Sequence, residues 1–390
     1  MSKKNHADKS ATNIGKKQNL SRRSVLQGAV AVGAVLAAPA IISRRALASS
    51  GELNVLMWSD YLPPEFLEGF KKETGITINH TGIGSNEEII NKMKATKGRG
   101  FDLVSPTNMR SPQWIDLGLL QPFDSAKVNT STLNPAMVAV GETEWNFEGK
   151  GVHWLPQLWG TEALGWRTDL WQPEGGVPSY GDIWSPEMKG KTMGRPHSMM
   201  LGAGLYLETT GDLAPGSMRK AYDSEEVMRP IWEKVTKFCI DNKEQVKLFW
   251  DDADSQKNGL LNDGVVIGQT WDGPILAMKS AGEPVTYQAP KEGALAWVDG
   301  ISMPIGAENI DEIYAFLNYS FKPENGGLTA DKTGYNSAVL GADQHISEVA
   351  KKNFSEAYPG DALTNLFPWP KEPQWYADVR TEYRNKFVNA

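Results

Sequence analysis

The sequence predicts an α/β chain of two domains behind an export signal. Three observations carry this. About 340 residues follow the leader, more than a single hydrophobic core of ordinary size takes in. Strand-like and helix-like stretches alternate along them, which is the α/β pattern. No repeat or low-complexity segment interrupts the alternation after residue 50.

The leader comes first. Residues 1–20 are polar and basic, followed by Ser21-Arg22-Arg23-Ser24-Val25-Leu26-Gln27, an apolar run from Gly28 to Ile42, and Ala46-Leu47-Ala48. A charged region, an apolar core and a small-residue site are the parts of a cleavable signal. Paired arginines before a Gly/Ala-rich core resemble a twin-arginine signal, and Arg44 and Arg45 beyond the core fit that route. The run is about 15 residues, short of the ~20 that span a bilayer. The expectation is a leader over residues 1–48, cleaved near Ala48, with export by the twin-arginine machinery to the periplasm.

Cleavage there removes nine basic residues and Asp8. The chain's 40 basic and 47 acidic residues become 31 and 46, a net charge near −15. That balance speaks against nucleic acid, which needs clustered positive charge, and against anionic membrane surfaces. The single cysteine, Cys239, makes no internal disulfide and reads as a small buried hydrophobe. No cysteine at the cleavage site suggests a lipid anchor.

The elements then follow in order. Leu53–Trp58 opens as a strand. Pro63–Gly75 is a helix, with prolines at its start, Phe66, Leu67 and Phe70 on one face, Lys71 and Lys72 in its last turn and glycine as its stop. Residues 76–80 return as a strand. Ser85, with an acidic residue three positions on, opens a second helix. Phe101–Ser105 is a third strand. Such units build a mostly parallel sheet, and ligands sit outside the C-terminal ends of its strands.

There are 14 tryptophans, none in the leader. Trp114, Trp145, Trp166, Trp171, Trp184 and Trp232 read as core or surface anchors. Trp58, Trp271 and Trp297 stand where strands end in turns, where a cleft would meet a ligand. In Gly293–Pro304, GALAWVDGISMP, residues two apart share a face of a strand. Asp299 then projects beside the indole of Trp297, and a carboxylate in an apolar run is costly unless paired.

Catalytic signatures are absent. No HExxH, GxSxG or CxxC occurs. Gly190-Lys191-Thr192 ends like a phosphate loop, but Ser185 stands where its first glycine belongs. The histidines are not at metal-ligand spacing. Asp251-Asp252-Ala253-Asp254 lacks the glycine and distal glutamate of a calcium loop, and reads as solvated. An exported enzyme stays open as an alternative; a nucleophile–base or metal cluster in the cleft would mark it.

The chain also resembles the periplasmic solute-binding proteins of ABC transporters that take up putrescine and spermidine. The likeness runs in order through Trp58-Ser-Asp-Tyr-Leu-Pro-Pro64, Phe101-Asp-Leu-Val-Ser-Pro106, Trp184-Ser-Pro-Glu-Met-Lys-Gly190, Pro290-Lys-Glu-Gly293, Trp297-Val-Asp-Gly300 and Thr333-Gly-Tyr335. The resemblance implies a two-lobed, type II-like periplasmic binding fold, with strands crossing at a hinge and ligand trapped by closure. It places the outward crossing near Leu155–Gly160 and the return near Tyr287–Pro290. One lobe would then comprise 49–155 with 287–390, and the other 156–286. It also implies a monomer that needs no cofactor and hands its solute to a permease.

Site residues carry over by position. Trp58 would lie on a methylene chain, flanked by Ser59 and Tyr61. Trp271 and Trp297 would be aromatic walls, Asp299 would pair with an amine, Tyr335 would close the site, and Thr107 would line it. A cation with an apolar chain needs such faces and at least one carboxylate per charged end. One segment departs from this pattern. Gly194-Arg-Pro-His-Ser-Met-Met200 has Arg195, with Pro196 or His197 and Met200 where the resemblance leads one to expect acids. Pro274, three positions after Trp271, and Met109 after the third strand are further departures. A second amine lacks an evident partner, and an arginine there would suit a carboxylate. Two ligand classes therefore stay open: a polyamine, or a zwitterion such as a γ-amino acid, a betaine or an opine-like conjugate. Arg195 as an ordinary salt-bridged arginine also stays open.

Overall fold

The computed structural model describes residues 50–390, so the leader and its cleavage site lie outside the described residues. The first strand, Glu52–Trp58, is the centre of a three-stranded parallel sheet, between Thr77–Ile83 and Leu103–Val104. A central strand is covered on both faces, so Leu53, Val55, Leu56 and Met57 are all buried rather than every second residue. The expected third strand shrinks to two residues, Leu103–Val104.

The first helix runs Pro64–Thr74 and stops at Gly75, which adopts a left-handed conformation with φ 77°. Its Phe66 and Phe70 meet Phe316 and Tyr319 of helix Ile310–Ser320 edge to face, while Leu67 is half-buried against the same core. At the second helix, Asn86–Thr96, the Ser85 side chain accepts from the Glu88 N–H. The Glu88 side chain in turn accepts from Gly84 N–H at 3.1 Å, one residue earlier than a capping box requires.

The second sheet has eight strands and is organised around Leu155–Arg167, a strand of 13 residues. Along one edge this strand pairs antiparallel with Leu295–Ile301. Further on, it pairs antiparallel with Ile267–Trp271 and Val285–Gln288, and Asn336–Ser337 joins it opposite Trp159 and Leu158. The strand that covers the crossing expected at Leu155–Gly160 runs on to Arg167. The segment Tyr287–Pro290, expected as the return crossing, overlaps strand Val285–Gln288, and the next strand is Leu295–Ile301.

The C-terminal helix, Gln374–Asn389, departs from the expected grouping. It was grouped with 49–155, yet it lies on helices Pro196–Thr210 and Glu225–Asp241. Tyr376 stacks on Tyr222 at 3.9 Å, Phe387 meets Trp184 and Phe249, and Arg229 pairs with Glu382. Apolar area on those helices draws it across, a term with no local signature in the sequence.

Trp114, Trp145, Trp166, Trp184 and Trp232 are buried core residues and Trp171 is half-buried. Cys239 is buried, and its thiol is pushed up by that burial. The acidic run reads differently from a plain solvated loop. Asp252 caps helix Ala253–Leu261, its carboxylate accepting from Ser255 N–H at 2.7 Å, while Asp251 and Asp254 are exposed.

Glycine is required at one point that fixes the site. The register of Leu295–Ile301 on the long strand shifts between Asp299 and Gly300. A Cβ on Gly300 would collide with the Trp154 indole and the Leu155 carbonyl oxygen. Gly300→Ala is therefore expected to lose about 1–3 kcal/mol of stability through overpacking. Urea unfolding measures this, and an unchanged midpoint would show that the irregularity has room to spare.

Candidate functional site

A narrow cavity of about 30 Å³ lies at the ends of the strands from both sheets. Trp58 is the last residue of Glu52–Trp58, and Trp271 the last of Ile267–Trp271. Trp297 and Asp299 share the inward face of Leu295–Ile301, with Val298 between them on the other side and only half-buried. Thr107 follows the short third strand, and Tyr335 follows the left-handed Gly334 that ends helix Pro323–Thr333. All of these line the cavity, together with Tyr61 and Arg195.

Ser59 is the exception. It is exposed and faces a separate polar hollow with Gly82–Ser85, Asp251 and Asp252. A side chain one residue past Trp58 in an extended chain points away from it. Three lining residues were not expected as site residues: Asn86, Met109 and Trp369. Asn86 is the first residue after the Ser85 cap; it donates to Thr107 Oγ1 at 2.8 Å and accepts from Thr107 N–H at 3.0 Å. The cap was a usable signal for its position. Met109 was noted only as a departure. Trp369 had no local signal, because it is brought in by Phe367–Pro368 joining the edge of Leu295–Ile301.

The aromatic rings meet edge to face. Centroids are 5.7 Å apart for Trp58 and Trp271, 5.3 Å for Tyr61 and Tyr335, and 5.5 Å for Trp297 and Tyr335. Trp58 is held by its Nε1–H donating to the Ser105 carbonyl at 3.1 Å. Such rings present negative faces to a cation.

Asp299 is 2 % exposed. Tyr61 donates its hydroxyl hydrogen to Oδ2, while Oδ1 is buried with no hydrogen-bond partner. Burial pushes this carboxyl up to about 7, against the lowering pull of Thr107, Tyr61 and Arg195. The Trp297 Nε1–H is likewise buried without a partner. Nearby, Tyr335 donates to Asp60 at 2.9 Å, and burial raises Asp60 to about 6. Asp272 is also raised by burial, to about 7, although Tyr358 and the Gly273 N–H both donate to it.

Arg195 is the one basic residue in the lining. Its Nη2 donates to Glu162 Oε2 at 2.8 Å, and its Nε to Ser198 Oγ at 3.2 Å. The guanidinium carbon lies 5.1 Å from the Trp271 ring centroid and 5.4 Å from that of Trp250. Glu162 is fully buried, so Arg195 answers a charge that nothing else in its surroundings neutralises. Arg195 is both a salt-bridged arginine and a wall of the cavity; Nη1 makes no hydrogen bond among the described residues. Glu162 is a further residue the sequence did not mark.

Residues 65–356 match the family of bacterial extracellular solute-binding proteins. The chain is 28% identical over 362 residues to the spermidine/putrescine-binding periplasmic protein of Escherichia coli K12, covering 90% of this chain and 97% of that one. Its fold is similar to the spermidine/putrescine ABC transporter substrate-binding protein PotD from Streptococcus pneumoniae, with a TM-score of 0.65, 22% identity and coverage of 87% and 98%. It is also similar to the binding protein MotA from A. tumefaciens B6 in complex with glucopine, with a TM-score of 0.64, 17% identity and coverage of 87% and 99%.

The raised Asp299 carboxyl makes stability depend on pH. Its folded pKa of about 7 lies above the ordinary 3.8, so folding favours the protonated form. Its contribution is complete below the ordinary value and is lost as pH rises through about 7. Asp299→Asn removes that loss. The variant's Tm without solute is expected to exceed the parent's at pH 8, with the gap closing towards pH 5. Asp60 and Asp272 leave a residual slope of the same sign in both proteins. A variant less stable than the parent at pH 8 would count against an uncompensated carboxylate.

Proposed function

The chain belongs to the bacterial extracellular solute-binding protein family, and we propose that it is the periplasmic receptor of an ABC importer for a small amine-bearing solute. The carrying observation is Asp299, a buried carboxylate with one oxygen unpartnered, set among Trp58, Tyr61, Trp271, Trp297 and Tyr335. An ammonium supplies the missing partner, and the rings take its alkyl chain and its charge. Strands crossing between lobes let the site close on the solute. One lobe spans about 49–155 with 287–373, and the other 156–286 with 374–390, following where the C-terminal helix lies. Residues 1–48 serve as a twin-arginine leader, and a permease accepts the solute from a monomeric receptor. The role is binding rather than catalysis.

The lining favours one ligand class. It holds one acid, Asp299, and one base, Arg195. A diamine, as borne by the relatives named for spermidine and putrescine, would face a guanidinium with its second ammonium. A short zwitterion would match both charges, with its carboxylate on Arg195 Nη1.

A thermal-shift panel of putrescine, spermidine, γ-aminobutyrate and betaine tests this. A bound solute raises Tm with the logarithm of its concentration over Kd. γ-Aminobutyrate is expected to stabilise most, and Asp299→Asn to cost it about 2–5 kcal/mol of binding. Its affinity should fall about tenfold between pH 8 and pH 6, because an acid of pKa about 7 must be ionised to hold an ammonium. Binding that is indifferent to Asp299→Asn rules out the anchor. Arg195→Met separates the classes: it abolishes zwitterion binding and spares or improves diamine binding. The opposite pattern returns the reading to a polyamine.

A further inference from the structure

A second group of charges lies beside the cavity, outside its lining. Arg110 and Arg380 are 3 % and 4 % exposed, and Glu372 is fully buried. Arg110 pairs with Glu87 at 2.9 Å and with Glu372 at 3.2 Å. Arg380 pairs with the same two carboxylates, at 2.6 Å and 3.1 Å. Each anchor adjoins the wall of the site. Glu87 follows Asn86, Arg110 follows Met109, and Glu372 is three residues beyond Trp369, all of them lining residues.

On the proposed division into lobes, the four charges fall on two bodies. Glu87 and Arg110 belong to the segment 49–155. Glu372 is tied to it as well, its N–H donating to the Met109 carbonyl at 2.9 Å and its carbonyl accepting from Gln113 Nε2 at 3.2 Å. Arg380 stands on helix Gln374–Asn389, which is fastened by Tyr376 and Phe387 to the helices and strands of 156–286. Its guanidinium therefore reaches from one body to two carboxylates on the other. A buried arginine with one prong on each of two acids has good geometry only when both bodies are together; apart, both of its ion pairs are lost.

We propose that Arg380 is the latch of lobe closure, a positioning residue that holds the two lobes together over the site without touching the solute. This rests on the reading of a closing two-lobed receptor. Removing the latch leaves Glu87 and Glu372 sharing Arg110 alone, and the closed form loses ground to the open one. Affinity is then set partly at the C-terminal helix, far from the amine anchor in sequence.

The test is made on the full chain without solute, so its outcome is independent of which solute binds. Small-angle scattering gives the radius of gyration, and hydrogen exchange reports the amides of Asn86–Ile90 and Met109–Gln113. Arg380→Met is expected to enlarge the radius and speed exchange at those amides about tenfold or more. Glu87→Gln, cut from the exposed side and so less demanding of the fold, is expected to move both in the same direction by less. Arg380→Lys should recover part of the closure. Arg229→Met breaks the exposed pairs with Glu225 and Glu382 on the same body and should change neither readout. The proposal is overturned if Arg380→Met and Glu87→Gln keep the parent radius and protection, or if Arg229→Met loosens the same amides. Failure of the solute reading would instead appear as a panel with no stabilising amine.

Discussion

The strand Leu155–Arg167 sets the register on which the site depends. Opposite it stand Asp299 at Leu158, Trp297 at Gly160 and Trp271 at Glu162, with Asn336 facing Trp159 from the other edge. Side chains alternate between faces with period two, so a slip of one residue would turn the whole set out of the cavity. Gly160 gives the arrangement room: a Cβ there would lie 2.6 Å from both the Asp272 carboxylate and the Trp297 ring. One strand thus places the proposed amine anchor, two aromatic residues of the cavity lining and the acid that holds Arg195.

Two buried carboxylates on this framework meet different fates. Glu162 is neutralised within the chain by Arg195, whose guanidinium then lies against Trp250 and Trp271. Asp299 has no ion pair of its own, and its Oδ1 has no hydrogen-bond partner among the described residues. Desolvation of an unpaired carboxylate is unfavourable, and the proposed ammonium would relieve it. The difference between a satisfied acid and an unsatisfied one marks which of them belongs to the ligand.

The C-terminal segment joins these local features to the proposed closure. It adds an edge strand at Phe367–Pro368, lends Trp369 to the cavity, buries Glu372 beside Met109, and then crosses to lie on the helices around Tyr222 and Trp184. Its apolar contacts with one body and its ionic contacts with the other differ in kind. Apolar burial is non-directional and tolerates small shifts. Paired guanidinium–carboxylate contacts depend on geometry and are lost within a few ångströms.

The sequence by itself determined the periodic and punctuated parts. The proline start and Gly75 stop of the first helix, the Ser85 cap, the apolar opening strand and the shared face of Trp297 and Asp299 are all set by residues within a turn or a strand of one another. The ordered likeness to known binding proteins pointed to seven residues that line the cavity and to Ser59, which does not, while Arg195 stood out as a departure from that likeness. Tertiary structure alone decided the rest. Glu162 lies 33 residues from Arg195, and Arg380 lies 293 from Glu87. Trp369 reaches the cavity only because an edge strand docks. Interactions over such separations are chosen by which surfaces bury together, and no local pattern in a single chain records that choice.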